Sequence, residues 1–222
     1  NLSGTFEKNI TANSDDDSME SYHPWVTPYN EDGTLKYNIK SWKNYTMDPT
    51  PLSNPLQDNK YNNVTDLKNN LFGSFSATLK PFKWLSFSST NTLTLTNVNT
   101  NDYLDSRTYN GNHSRNEMSN GVLKVDDERS WTFLTSNILR LQHSFGEHNL
   151  SGLVGQEWYE RHTRSSHIEM YDQIIAGERN VGGFSKQGDK TNPGVIPTGA
   201  ERESGSFSVF SEVNYNYAGT YM

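Results

Sequence analysis

Between residues 71 and 80, apolar or small side chains alternate with polar ones. Leu71, Gly73, Phe75, Ala77 and Leu79 stand against Ser74, Ser76, Thr78 and Lys80, with Phe72 the exception. A period of two marks a strand with two unlike faces. After Pro81-Phe82-Lys83 the alternation resumes, with Leu85, Phe87, Leu93 and Leu95 opposed to Ser86, Ser88, Thr90, Thr92, Thr94 and Thr96. This second run holds from Trp84 to about Val98, well beyond the roughly five or six residues usual for a globular strand. The pattern recurs from Trp131 to Phe145 (Phe133, Leu139 and Leu141 on one face), from Asn149 to about Arg161, and from Gly205 through Phe207, Val209, Val213, Tyr215 and Tyr217. Leu2, Gly4 and Phe6 alternate with Ser3, Thr5 and Glu7. Five complete strands and parts of two others are expected.

The connections fall into two classes. Short ones are expected at Pro81 to Lys83, Gly146 to His148 and Ala218 to Thr220, and long ones at about residues 9–66, 99–130 and 163–204, rich in Asn, Asp, Gly and Pro. Compact soluble domains rarely hold structureless loops longer than about 15 residues. A transmembrane barrel accounts for three of them on alternate connections, because it has short periplasmic turns and long extracellular loops. Its strands need about 9 to 11 residues to cross. The fold class expected is therefore all-β, a segment of a large antiparallel transmembrane β-barrel. Phe82, Trp84, Phe145, Trp158, Tyr159, Tyr217 and Tyr221 fall near run ends, where interfacial aromatic girdles belong. Arg140 alternates with Leu139 and Leu141 and so faces the lumen, and His143 is near an interface. A soluble antiparallel sandwich is the competing architecture.

Composition favours strands as well. Only 32% of the 222 residues are hydrophobic and the mean hydropathy is -0.84, low for a water-soluble core. Yet 12% are aromatic, high for a disordered chain. The polarity is not mainly charge, at 20% Asp, Glu, Lys and Arg; Asn, Ser and Thr make up about a third of the chain. Those side chains compete with the helical backbone, while Thr and aromatics suit strands. A formal net charge of -7 argues against a nucleic-acid partner, which needs a basic face. The absence of cysteine removes disulfides, thiolate nucleophiles and Cys-ligated zinc. No stretch approaches the roughly 18 apolar residues of a membrane helix, so a membrane role must use strands.

Several segments together resemble the barrel of SusC/RagA-family TonB-dependent outer-membrane transporters of Bacteroidetes. They are His23-Pro24-Trp25 with Pro28-Tyr29-Asn30-Glu31-Asp32-Gly33, Asn54-Pro55-Leu56, Leu79-Lys80-Pro81-Phe82-Lys83-Trp84-Leu85, Phe145 to Leu150 with Gly155-Gln156-Glu157, and Ser208 to Tyr221 with Asn214-Tyr215-Asn216-Tyr217. The similarity lies in their order over about 200 residues. It implies that residues 1–222 are a slice of a barrel of roughly 22 strands, with plug domain, TonB box and signal sequence absent from this piece. It also implies energised import of an oligosaccharide or peptide, a SusD-like surface lipoprotein partner, the TonB complex acting through the plug, contact with outer-membrane lipid, and no cofactor. A secreted β-sandwich glycan-binding module is the alternative.

No catalytic constellation emerges. His162 and His167, five apart with Glu169 nearby, fall on opposite faces of a strand. Asp15-Asp16-Asp17 and Asn30-Glu31-Asp32-Gly33 lack the ligand spacing of an EF-hand, the latter reading as a glycine-ended turn. Glu157 and Glu160 alternate faces, unlike the paired acids of a glycosidase. The first long loop is richer, with Tyr22, Trp25, Tyr29, Tyr37, Trp42 and Tyr45 within 24 positions. Flat aromatic surface with hydroxyls suits sugar rings or a protein partner, and so would packing of these rings on one another. Tyr103, Arg107 and Tyr109 form a smaller cluster in the next loop. The candidate ligand- or partner-binding residues are thus Trp25, Tyr29, Trp42, Tyr45, Tyr103, Arg107 and Tyr109, with no metal ligands.

Overall fold

A computed structural model describes residues 1–13, 26–41, 50–113, 120–187 and 197–218. Six long strands form one antiparallel layer: β1 (Leu2–Ala12), β4 (Asn63–Phe82), β5 (Leu85–Leu104), β6 (Val122–Phe145), β7 (His148–Gln173) and β9 (Thr198–Tyr217). They pair in the order β1-β4-β5-β6-β7-β9, and short β8 (Phe184–Gln187) joins β7 at its far end. A two-stranded ribbon, β2 (Asn38–Ser41) with β3 (Thr50–Ser53), lies in the first long connection with helix α1 (Pro55–Tyr61), and a one-turn helix α2 (Tyr109–His113) in the second. The chain is all-β, a segment of a large antiparallel barrel wall, and its described residues do not close on themselves. Among them no helix is long and apolar enough to cross a membrane.

The register sorts side chains as the period of two requires. One face collects the rows Leu71–Leu95–Trp131, Gly73–Leu93–Phe133, Leu79–Phe87–Leu139–Val154 and Leu85–Leu141–Gly152–Val213. The other carries Ser74, Ser76 and Thr78, then Ser88 to Thr96 at even positions, Ser130, Thr132 and Arg140. From Trp131 to Leu141 the apolar rows span ten residue-to-residue steps of β6. That is about 33 Å along the strand, or about 25 Å of height at the usual barrel tilt, which matches a bilayer-facing band. The band is not uniformly apolar: Ser89, Asn91, Thr135, Asn137, Gln156 and Glu160 share this face. Part of this polarity is satisfied locally, Asn91 accepting from the Thr135 hydroxyl at 2.7 Å and donating to Ser89 at 3.1 Å.

Below the band, on the same face, an aromatic belt draws rings from four strands and the β4–β5 turn. Phe82 stacks on Trp84 at 5.1 Å, Trp84 meets His143 edge-on at 6.1 Å, Phe145 stacks on His148 at 5.3 Å, and His148 reaches Tyr217 at 4.8 Å. Amphipathic rings of this kind settle at a membrane–water interface. Here the strands turn tightly. Gly146, at φ +63, begins the two-residue turn between β6 and β7, a conformation that primed hairpin turns demand and β-carbon-bearing residues resist. The β4–β5 turn is Lys83-Trp84, one step later than expected. Pro81 instead lies within β4, where the pairing slips between Leu79 and Phe82, because proline has no N–H for the ladder. Ala218 donates to the Glu147 carbonyl at 2.9 Å, so β9 ends at this side, while Gly219 and Thr220 of the third expected turn lie outside the described residues. All three long connections leave from the opposite end.

The strands also run further toward the loops than the alternation suggested. β5 reaches Leu104, β6 starts at Val122 and β7 continues to Gln173. Just past the band both faces are polar, as with Asn97, Asn99 and Asn101 beside Thr96 and Thr100, so the two-faced pattern lapses while the backbone ladder continues, and apolar side chains return toward the strand ends at Tyr103, Leu123 and Met170.

If the apolar face meets lipid, Phe75→Arg near mid-band should cost about 2 to 4 kcal/mol of insertion free energy, whereas Ser76→Arg on the other face should be tolerated. Folding of the two variants of the full-length protein into bilayers, scored by heat-modifiable migration, checks this. Equal loss would refute the face assignment.

Candidate binding surface at the loop-bearing end

Buried side chains gather where the long connections leave. Tyr103, Leu123, Met170 and Phe184 form a small apolar cluster with Val125 and Ile168 against it, and a buried polar network joins the connections above it.

The network starts with α1. Asn54 caps it, accepting from the Leu56 amide at 3.2 Å, with Pro55 in the first turn and Lys60 in the last. These positions suit a helix start and the macrodipole. The Asn54 amide also donates to the carbonyls of Pro28 at 2.9 Å and Lys36 at 2.8 Å, pinning a turn closed by Gly33 at φ +81. In that turn the Thr34 hydroxyl and amide hold the Asp32 carboxyl below its ordinary pKa. Asp58, fully buried, accepts from Ser53 at 2.5 Å, Asn62 at 3.0 Å and Asn110 at 3.0 Å. Asn62 in turn accepts from the Asp105 amide at 2.9 Å and the Thr108 hydroxyl at 3.2 Å.

Asp105 is the centre of the second connection. Its carboxylate receives Arg107 Nε at 2.8 Å and Nη2 at 2.7 Å, and the Tyr103 hydroxyl at 2.7 Å. Burial pushes this carboxyl up, but the bonds from Arg107 and Tyr103 outweigh it and hold it below its ordinary value. Burial together with the bond to Asp105 pushes the Tyr103 hydroxyl up to about 12. The third connection enters through Gln173, whose amide donates to the Tyr103 hydroxyl at 2.6 Å and the Glu178 carbonyl at 2.9 Å. The same side chain accepts from the Ser106 amide at 3.0 Å. Three connections are thus bonded into one cap.

The candidate residues occupy different settings. Tyr29 is exposed on the Gly33 turn, its backbone bridged to Leu35. Tyr103 lies in the overhang of β5, 1% exposed, with its hydroxyl committed to the network. Arg107 pairs with Asp105 and covers the Tyr61 ring at 4.1 Å. Tyr109 meets Tyr37 edge-on at 5.7 Å. Trp25, Trp42 and Tyr45 lie outside the described residues. Exposed apolar side chains not anticipated from sequence, Ile174, Ile175 and Leu56, stand at the same end. The cap residues Asn54, Asp58, Asn62, Asp105 and Gln173 were also missed, although Asn54-Pro55 followed by Asp58 and Lys60 is a readable helix start. His162 and His167 do fall on opposite faces, beside Trp131 and Asp126 respectively.

No family model matches the chain, and no curated protein matches it. Solved structures do. The RagAB peptide importer in its "open-open" state superposes with a TM-score of 0.63 at 18% identity, over 86% of this chain and 20% of that one. The "closed-closed" state gives 0.63 at 18% over 97% and 24%, and the RagAB peptide transporter 0.61 at 18% over 86% and 20%. The chain therefore has the fold of a piece of these importers and spans about a fifth to a quarter of their matched chains.

Asp105→Asn should loosen the cap by about 1 to 3 kcal/mol, the usual cost of stranding buried partners. Because the Asp105 carboxyl is depressed, its contribution is complete above the ordinary carboxylate pKa and is lost only as pH falls through the lowered value. Amide exchange should quicken in residues 54–62 and 105–113 while mid-strand β5 and β6 stay protected.

Proposed function

We propose that this chain is wall and loop structure of a SusC/RagA-family, TonB-dependent outer-membrane importer. The observation that carries the reading is the two-faced single sheet. It has an apolar band of bilayer height, an aromatic belt at the tight turns and a folded loop cap at the other end. The likeness to peptide importers supports it. The hydroxyl-rich face lines an aqueous lumen in this reading, and the cap faces the cell exterior. A barrel with a lumen of this kind moves cargo rather than transforming it, so the role is transport and not catalysis. The plug, and with it the TonB complex, acts from outside this chain. The cargo is a peptide or an oligosaccharide, and a SusD-like lipoprotein lies over the loops.

A secreted β-sandwich glycan-binding module fits less well. A sandwich buries its apolar face under a second sheet, yet Phe75, Leu79, Val209 and Val213 are each more than 60% exposed and among the described residues no second sheet covers them.

Within this reading the aromatic side chains of the first connection contact the lipoprotein or the cargo. Interface affinity concentrates in a few such anchors, about 2 kcal/mol or more each on truncation. Replacing Trp25, Tyr29 and Trp42 together with alanine in the full-length protein should reduce lipoprotein co-purification or uptake at least tenfold. Labelled peptide and labelled oligosaccharide are tested side by side, with heat-modifiable migration unchanged. Normal association and uptake in the triple variant would leave these rings as loop packing. Uptake unaffected by loss of TonB, or extraction from membranes without detergent, would overturn the importer reading itself.

A further inference from the structure

One feature of the apolar face has no role in the sheet itself. Just beyond the Leu71–Leu95–Trp131 row, Arg129 of β6 stands directly opposite Arg164 of β7. Directly paired residues on antiparallel strands have α-carbons about 4.5 to 5.5 Å apart, and like charges so placed repel each other. Both side chains are exposed. Neighbouring carboxylates neutralise them only in part. Asp127 takes one nitrogen of Arg129, Nη2 at 3.0 Å. Glu201 is opposite Arg164 in the β7–β9 register, but its Oε1 is 3.0 Å from His162 Nε2, while Glu203 meets His162 Nδ1 at 3.1 Å. Among the described residues Arg164 makes no ion pair with any carboxylate.

The surroundings are two-sided. A shallow groove of about 690 Å³ runs across the strands here, lined by Arg129, Arg164 and Asn69 toward the loops and by Leu71, Leu95 and Trp131 toward the band. Two forked guanidiniums from directly paired positions on adjacent strands line this one groove, and arginine binds phosphate oxygens bidentately. Given the bilayer-facing band, this pair is one row above the hydrocarbon edge, at headgroup height, with Trp131 at the boundary where indoles partition.

We propose that Arg129 and Arg164 bind the phosphate of a membrane lipid in the leaflet nearest the loops, its acyl chains lying over Leu71, Leu95 and Trp131. The site rests on the barrel reading above. It would tie a specific anionic lipid to the wall beneath the loop cap, independently of cargo.

The test uses the whole barrel purified in detergent, as wild type, as the Arg129→Gln/Arg164→Gln double variant, and as Arg161→Gln, which removes an arginine from the opposite face of β7. Each is titrated with bisphosphorylated lipid A and with its dephosphorylated form, and bound lipid is counted by native mass spectrometry. Wild type and Arg161→Gln should retain the phosphorylated lipid at least tenfold better than the double variant. All three should hold the dephosphorylated lipid equally and weakly. Millimolar inorganic phosphate should not displace the lipid, because free phosphate gains nothing from the apolar half of the groove. Should the double variant fail to fold, Arg164→Gln alone, which breaks no ion pair among the described residues, should still lower retention severalfold with heat-modifiable migration intact. Equal retention by wild type and folded variant overturns the site while leaving the barrel standing, and displacement by inorganic phosphate overturns its assignment to lipid. A protein that leaves membranes without detergent overturns the barrel reading and the site with it.

Discussion

A sheet one layer thick has no interior, and along most of its height this chain must hold together by pairing backbone to backbone. Every buried hydrophobic side chain among the described residues belongs to the loop-bearing end: Ile39, Tyr103, Val122, Leu123, Met170, Tyr171 and Phe184. Between the aromatic belt and the cap, neighbouring strands are joined by a nearly unbroken antiparallel ladder, residue for residue from Leu85↔Leu141 to Leu104↔Val122 and from Val122↔Tyr171 to Phe145↔His148. In hydrocarbon such pairing is obligatory, since no water can serve a stranded N–H or carbonyl. The pairing slips at Pro81, which has no N–H to give it, while the tight turns and the choice of glycine at position 146 follow from keeping the ladder in register. So does Gly155, where a β-carbon would come within 2.2 Å of the Phe210 ring on the next strand. Among the described residues β1 and β9 are the outer strands, and their unpaired backbone groups invite further strand pairing.

The loop end solves a different problem. Connections of this length cannot bury much apolar surface, and they leave many backbone groups away from the ladders. Asparagine, aspartate and glutamine answer both needs, because one short side chain can serve two or three partners. Asn54 does so for two carbonyls and an amide, and Asp58 for three donors. A fully satisfied polar network specifies geometry more sharply than a loose apolar contact would. This gives the asparagine-rich composition a structural purpose beyond solubility.

The sequence was legible where the environment had two sides. Between Leu71 and Leu95, and between Trp131 and Leu141, lipid-like and water-like faces impose an alternation that survives without any tertiary information. Around Asn97 to Asn101 the strands are polar on both sides and the alternation fades, so the strand ends, where Tyr103, Leu123 and Met170 are buried again, became visible only with the pairing register. The glycine-ended turn at Asn30 to Gly33 could be read because its chemistry is local. Tyr103 could not be placed, since its burial depends on Gln173, seventy residues away, and on Phe184 folding back over it. The arginine pair on β6 and β7 was equally invisible, for facing across strands is a property of register and not of spacing.

The way Asp58, Asn62, Asp105 and Gln173 link three connections also bears on how such a surface can diversify. Loops that stand alone can be exchanged, lengthened or shortened one at a time by recombination. Here a change in one connection strands partners in the other two, so variants of this wall can inherit a new cap only as a matched set.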